Sequence, residues 1–233
     1  MNIEQARQIN EEVRDFFKPG WKSSNKAYVP ASPEDYIADE DMAGLYGDID
    51  NAKWIHREVA RQMPIPRLPI YEHYDGKGHD ILHEKRNQRG NCTEMAYVAF
   101  RKVKLLGEPR ENVMIGTITG RGDHVFCYVS SGGNPSLRSG GSRVTSVKQM
   151  RGEGIVIDPW MNIVCTAQNY ELTARAKLRK WQQDGKRILV AKKEGGQSIG
   201  YWASPQGTYQ TNFLNGTLVF SLNRKEHDSI LYP

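Results

Sequence analysis

The most constraining stretch of this 233-residue chain is Gly90-Asn91-Cys92-Thr93-Glu94 together with the apolar run behind it. Apolar residues recur at Cys92, Ala96, Ala99, Val103 and Leu106, three and four apart, so one face of a helix must pack into a core until Gly107 ends it. Asn91 suits the N-cap, and Glu94 stands where a capping box needs its returning partner. That register places Cys92 in the first turn, where unpaired N–H groups and the positive end of the macrodipole favour an anion such as a thiolate. A buried cysteine that merely anchors a core helix is the competing reading, because free cysteine is among the most buried residue types. A nucleophile also requires a base and a third group from elsewhere in the fold.

Composition narrows the class. With 38% hydrophobic residues the chain can bury a good core, and its +5 formal charge comes from 32 basic and 27 acidic residues spread along its length. It has no basic run with interleaved aromatics, so no nucleic-acid partner is expected. Cys92, Cys127 and Cys165 are too few and too scattered for a disulfide framework or a CxxC zinc site and read as reduced thiols. No stretch is long enough for a membrane span, and Met1 to Phe17 is too polar for a cleavable signal peptide. The expected location is the cytoplasm, or outside the cell after export by a dedicated apparatus. Oligomeric state is not readable.

In chain order, Ile3, Ala6, Ile9, Val13, Phe16 and Phe17 predict an opening amphipathic helix stopped by Pro19-Gly20. Trp21 to Asp50 reads as loops with one short helix around Ser32-Pro33-Glu34-Asp35, and Asn51 to Met63 as a helix with Trp54, Ile55, Val59 and Met63 inward. Pro64, Pro66 and Pro69 then force an extended passage. His73, His79 and His83, with Asp75 and Asp80, sit in a polar, glycine-containing segment that places no ligands on a common helix or hairpin, so no metal is expected.

Beyond the Cys92 helix, Val113 to Ile118 and His124 to Val129 predict a hairpin turning at Gly120-Arg121-Gly122. The period of two places His124, Phe126 and Tyr128 on one face and Val125, Cys127 and Val129 on the other. The glycine-rich stretch Ser130 to Ser142 reads as a flexible loop able to act as a lid. A third strand spans Gly154 to Asp158, halted by Pro159, and an ionised Asp158 there needs a cationic or hydrogen-bonding partner. Tyr170 to Asp184 predicts a helix with Leu172, Ala176 and Leu178 inward. Strands are expected at Arg187 to Ala191, Ile199 to Ala203, Thr208 to Phe213 and Thr217 to Leu222, with Asn215-Gly216 as a hairpin turn, all extending the central antiparallel sheet. Trp202 and Tyr209 read as core or edge packing.

Cysteine at a helix start, histidine early in one strand and aspartate at the end of the next is the chain order of papain-like and transglutaminase-like thiol enzymes. Gly90-Asn91-Cys92-Thr93-Glu94, Asp123-His124-Val125-Phe126 and Val156-Ile157-Asp158-Pro159-Trp160 resemble the transglutaminase-like branch, which includes bacterial effector and toxin domains that deamidate or cleave host proteins. The resemblance covers about Gln88 to Trp160. It implies Cys92 as nucleophile, His124 as base and then acid, and Asp158 as orienter of the imidazole, the parts an acyl-enzyme mechanism needs. The Cys92 N–H can donate to an oxyanion, with Gln88 or Asn91 as candidate second donors. The papain pattern has Gln six residues before the Cys, and here that residue is Arg86.

These readings give an α+β fold with the nucleophile helix packed on an antiparallel sheet. Residues 1–70 form an N-terminal helical segment and residues 71–233 the catalytic core, as one domain overall. The expected activity is thiol-dependent deamidation or hydrolysis of a protein amide, with transamidation open and no cofactor. A peptidoglycan peptide amidase is the next enzymatic choice. A non-catalytic binding module of the same fold is the alternative from another class.

Overall fold

The computed structural model describes residues 1–17, 26–28, 92–109, 112–119, 124–131, 142–144, 146–194 and 197–221. The architecture is mixed α and β, with four α-helices among the described residues and an antiparallel six-stranded sheet at the centre. Helix α1 (Ile3–Phe16) starts at a complete capping box, in which the Asn2 side chain accepts from Gln5 N–H and the Gln5 side chain accepts from Asn2 N–H. Its inward stripe is Ala6, Ile9, Asn10 and Val13. Helix α2 (Cys92–Leu105) packs against α1, where Lys102 Nζ reaches Glu12 at 2.6 Å.

Helix α2 buries more than the single stripe its spacing predicts. Met95, Tyr97, Val98 and Phe100 are buried alongside Cys92, Ala96, Ala99 and Val103, so the helix runs through the core. Leu106 departs from the expected inward face and is 54% exposed. The helix has already ended there, and Gly107 turns the chain away at φ +84°.

Six strands make the central sheet: β2 (Val113–Thr119), β3 (His124–Val129), β4 (Ser142–Val144), β5 (Ile155–Asp158), β6 (Ile163–Thr166) and β9 (Thr217–Ser221). Their order is β4-β9-β2-β3-β5-β6, every pairing antiparallel. Strand β3 is thus interior and near-continuously apolar, as a strand covered on both faces must be. Gly116 of β2 stands opposite Phe126, and a Cβ there would lie 2.5 Å from the Phe126 ring. Only glycine lets that ring lie flat across β2.

Several boundaries differ from the sequence expectation. Residues 26–28 form a short strand, β1, where loops and a helix were expected. It pairs with β7 (Lys186–Glu194), which pairs with β8 (Gln197–Ala203), so these strands build a separate three-stranded sheet and do not extend the central one. Helix α3 (Ala167–Gln183) follows edge strand β6 directly and carries the chain off that edge. Its inward stripe is Ala167, Tyr170, Ala174, Leu178 and Trp181; Leu172 is 69% exposed and Ala176 also faces solvent. The larger aromatic stripe wins the core, because it removes more apolar area from water.

The expected strand at Thr208 to Phe213 is helix α4 (Thr208–Asn215). Tyr209, Phe213 and Leu214 are its buried residues, a four-and-five spacing that suits a helix better than an alternating strand. Asn215-Gly216 therefore ends a helix, with Gly216 N–H donating to Asn212 O at 2.7 Å, and is not a hairpin turn. The expected Gly154 to Asp158 strand is present as β5, and β6, an unexpected strand although Ile163-Val164-Cys165-Thr166 is rich in strand-favouring residues, follows it through a turn with Asn162 at φ 56°. Ser142, expected to close the glycine-rich loop, begins β4. The expected helices within 21–63, the proline passage, the histidine-containing segment 71–87 and residues 132–141 of the glycine-rich stretch lie outside the described residues.

Candidate active site

Cys92 is the first residue of α2, so its backbone N–H is one of the amides without an intrahelical acceptor, and Glu94 adds an acid to the same turn. The residue is 7% exposed. His124 opens β3 and Asp158 closes β5. The antiparallel register of these strands pairs Cys127 with Ile157, and one residue further on it sets Asp158 opposite Phe126. Opposed residues and those two apart along a strand share a face, so His124, Phe126 and Asp158 project the same way.

The side chains meet. His124 Nε2 and Asp158 Oδ2 are 2.8 Å apart, and both side chains are fully buried. Asp158 Oδ1 accepts from Met161 N–H at 3.0 Å, and Oδ2 accepts a second bond from the Tyr170 hydroxyl at 2.8 Å. Three donors thus converge on one buried carboxylate, the arrangement that lets a charge persist away from water. With Nε2 committed to Asp158, Nδ1 is the nitrogen left for a proton exchange; in the serine triad the acid holds the other nitrogen. Among the described residues Nδ1 has no aligned hydrogen-bond partner. The Cys92 sulfur nevertheless lies within electrostatic reach of the ring and favours its charged form. Looseness of this kind is common before substrate binds.

Two opposing effects set the ionisation of the pair. Burial by itself would push His124 down, but the charge of Asp158 and the hydrogen bond to it outweigh burial and hold the imidazole above its ordinary range. Burial likewise would raise Asp158, and the imidazolium, the Met161 N–H and the Tyr170 hydroxyl together hold it below its ordinary range. Each partner stabilises the charged form of the other.

Aromatic rings enclose the imidazole. Trp160 lies 5.2 Å and Phe213 5.4 Å from its centroid, with Phe126 at 6.3 Å. Trp181 packs edge-on against Trp160 at 5.2 Å, and Tyr170 lies 4.9 Å from Phe126. This wall fixes the ring and lowers the local dielectric, which strengthens the His124–Asp158 interaction.

The structure therefore brings Cys92, His124 and Asp158 into one neighbourhood. Gln88 and Asn91, the candidate oxyanion side chains, lie outside the described residues, as do His73, His79 and His83. Among the described residues no group of three or more His, Cys, Asp or Glu could hold a metal. Sequence reasoning did not find Tyr170, Phe213 or the Met161 N–H. Tyr170 was visible only as the start of a helix, and no local pattern ties it to a carboxylate twelve positions away. Comparison with protein families, with curated proteins and with solved structures finds no match to this chain.

The three thiols differ in environment. Burial pushes Cys127 far above the ordinary thiol range, and burial, opposed by a hydrogen bond with Thr173, pushes Cys165 up to about 11. Neither offers thiolate near neutral pH, whereas Cys92 has a histidine beside it. Cys92 is expected to be the first of the three to be alkylated by iodoacetamide near neutral pH, read by peptide mass mapping. Equal or faster labelling of Cys127 or Cys165 would remove the case for an activated Cys92.

Proposed function

We propose that this chain is a thiol-dependent amide hydrolase or acyltransferase with a papain-like, transglutaminase-like core, acting on a protein amide. The observation that carries the proposal is the buried 2.8 Å contact between His124 and Asp158 on a ring that also neighbours Cys92. In this mechanism His124 Nδ1 takes the Cys92 proton and the sulfur attacks the carbonyl carbon. The Cys92 N–H at the start of α2 donates to the oxyanion that forms. Collapse breaks the C–N bond as His124 returns its proton to the leaving nitrogen, and a thioester remains on Cys92. Water then attacks the thioester with His124 as base, releasing the acid and restoring the thiol; an amine in place of water gives transamidation. Asp158 keeps its charge throughout, holding the ring and stabilising imidazolium.

A role as a bacterial effector or toxin fits the same chemistry, since a host protein supplies the amide. Among the described residues no helix is long and apolar enough to cross a membrane. A second reading, a non-catalytic binding module, takes support from the burial of all three side chains, which a structural network also shows.

The test incubates the wild-type chain and Cys92→Ala with target-cell lysate and, separately, with peptidoglycan peptides. The expected result is a Cys92-dependent change in a protein: a gain of about one mass unit at Gln or Asn, or a new chain terminus, because acyl transfer to water yields one or the other. Cutting of murein peptides alone would favour the cell-wall amidase. An effect retained in full by Cys92→Ala would favour the binding module.

A further inference from the structure

Tyr170 does something that neither the fold nor the three-residue mechanism requires. Its hydroxyl donates to Asp158 Oδ2 at 2.8 Å, the same oxygen that His124 Nε2 contacts at 2.8 Å, although Oδ1 already has its own donor in Met161 N–H. Tyr170 is fully buried and its ring is held by Phe126 at 4.9 Å and Phe213 at 6.0 Å, rings that also neighbour the imidazole. The phenol therefore has one fixed direction, and it points at the atom that sets how strongly the carboxylate grips the histidine.

We propose that Tyr170 is a positioning residue of the Cys92–His124–Asp158 site, sharing Asp158 Oδ2 with the imidazole so as to fix the carboxylate and temper its hold on the ring. This inference rests on the thiol-enzyme reading. Two donors on one oxygen compete: charge drawn toward the phenol is withdrawn from the imidazolium. A histidine that must accept a proton from Cys92 and then surrender it to a leaving group works best when its affinity for that proton is moderate. Asp158 without Tyr170 would grip too hard, leaving His124 a good base and a poor acid.

Among the described residues, the charged and titratable groups around the pair are Arg14 of α1, Cys92 of α2, Cys165 of β6, Tyr170 and Lys177 of α3, and, beside Tyr170, Tyr209 of α4. Burial, with Asp158 next in effect, holds Tyr170 well above the ordinary phenol range, so it stays a neutral donor wherever the enzyme would work. Burial pulls Arg14 and Lys177 down while Asp158 opposes it, and Arg14 Nη1 is engaged by Pro159 O at 2.9 Å. These two cations adjust the field at Asp158 from outside, whereas Tyr170 touches the oxygen itself.

The experiment follows the ring nitrogens of His124 by NMR in histidine-labelled protein, assigned by their loss in His124→Gln, together with the pH profile of Cys92 alkylation. Tyr170→Phe removes the hydroxyl and keeps the ring. It is expected to raise the His124 midpoint by roughly half a unit to one unit, the effect of a single hydrogen bond on a neighbouring charge, and to move the alkylation profile with it. If Tyr170→Phe does not fold, 3-fluorotyrosine at position 170 keeps the packing and makes a stronger donor, which should shift the midpoint the other way. A merely structural tyrosine would change the melting temperature and leave the midpoint where it was, and that result overturns the inference. Failure of the underlying reading looks different: His124→Gln would then leave Cys92 alkylation unchanged, while the midpoint in the Tyr170 variants still decides whether the phenol tunes the ring.

Discussion

Asp158→Ala is expected to lower the free energy of unfolding by about 3–5 kcal/mol, the usual cost of removing one partner from a buried ion pair. The side chain is fully buried and accepts from His124, Tyr170 and Met161 N–H, so its removal leaves three donors without an acceptor and an imidazole without its counter-charge. Most of the penalty is this stranded polarity, since a cavity of carboxylate size is small. The loss should also depend on pH. His124 is raised above its usual 6.5 in the folded chain, so its contribution is complete below that value and is lost as pH climbs through the folded-state value. Asp158 is lowered below its usual 3.8, so its contribution is present above that value and is lost as pH falls through the folded-state value. The wild-type advantage over Asp158→Ala is thus largest between these limits, at about pH 5, and smaller at about pH 9. Urea unfolding at the two values measures it. A loss under about 1 kcal/mol at pH 5, the range of an ordinary surface pair, would show that the contact is not the buried ion pair described.

The largest effect on activity is expected at the thiol and the imidazole. Cys92→Ala and His124→Ala should each reduce turnover by roughly four to six orders of magnitude, and the double substitution should be hardly worse than either alone, as with catalytic groups that act as a unit. Without the imidazole nothing is placed to take the thiol's proton, and without the sulfur there is nothing for the imidazole to activate. Any residual rate would come from substrate binding and the α2 amides. Single-turnover rates on the substrate found by lysate profiling give the comparison. Multiplicative losses would mean that the two side chains act independently, which a proton transfer between them does not allow.

Local pattern was a good guide to the elements that carry the site. The three-and-four spacing of α1 and α2, and the β-branched runs of β2, β3 and β5, were all legible because each side chain's burial follows from its own periodicity. The placing of Cys92, His124 and Asp158 at element ends was legible for the same reason. Short or mixed signals failed. The alternation within Thr208 to Phe213 mimicked a strand, yet Tyr209, Phe213 and Leu214 are buried together on α4. Leu172 looked like a core residue, yet Tyr170 and Trp181 claim the inward stripe of α3.

What the sequence by itself determined is which residues stand at helix tips and strand ends, since periodicity and capping act within a few residues. What only the tertiary structure decided is how they meet. The antiparallel register of β3 and β5 turns His124 and Asp158 to a common face, and α3 delivers Tyr170 to the carboxylate from outside the sheet. Gly116 makes room for the Phe126 ring beside them, and α4 places Phe213 against the imidazole. These contacts join residues far apart in the chain, and they depend on pairing register and helix docking, which settle only when the whole core closes and every buried polar group must find its partner.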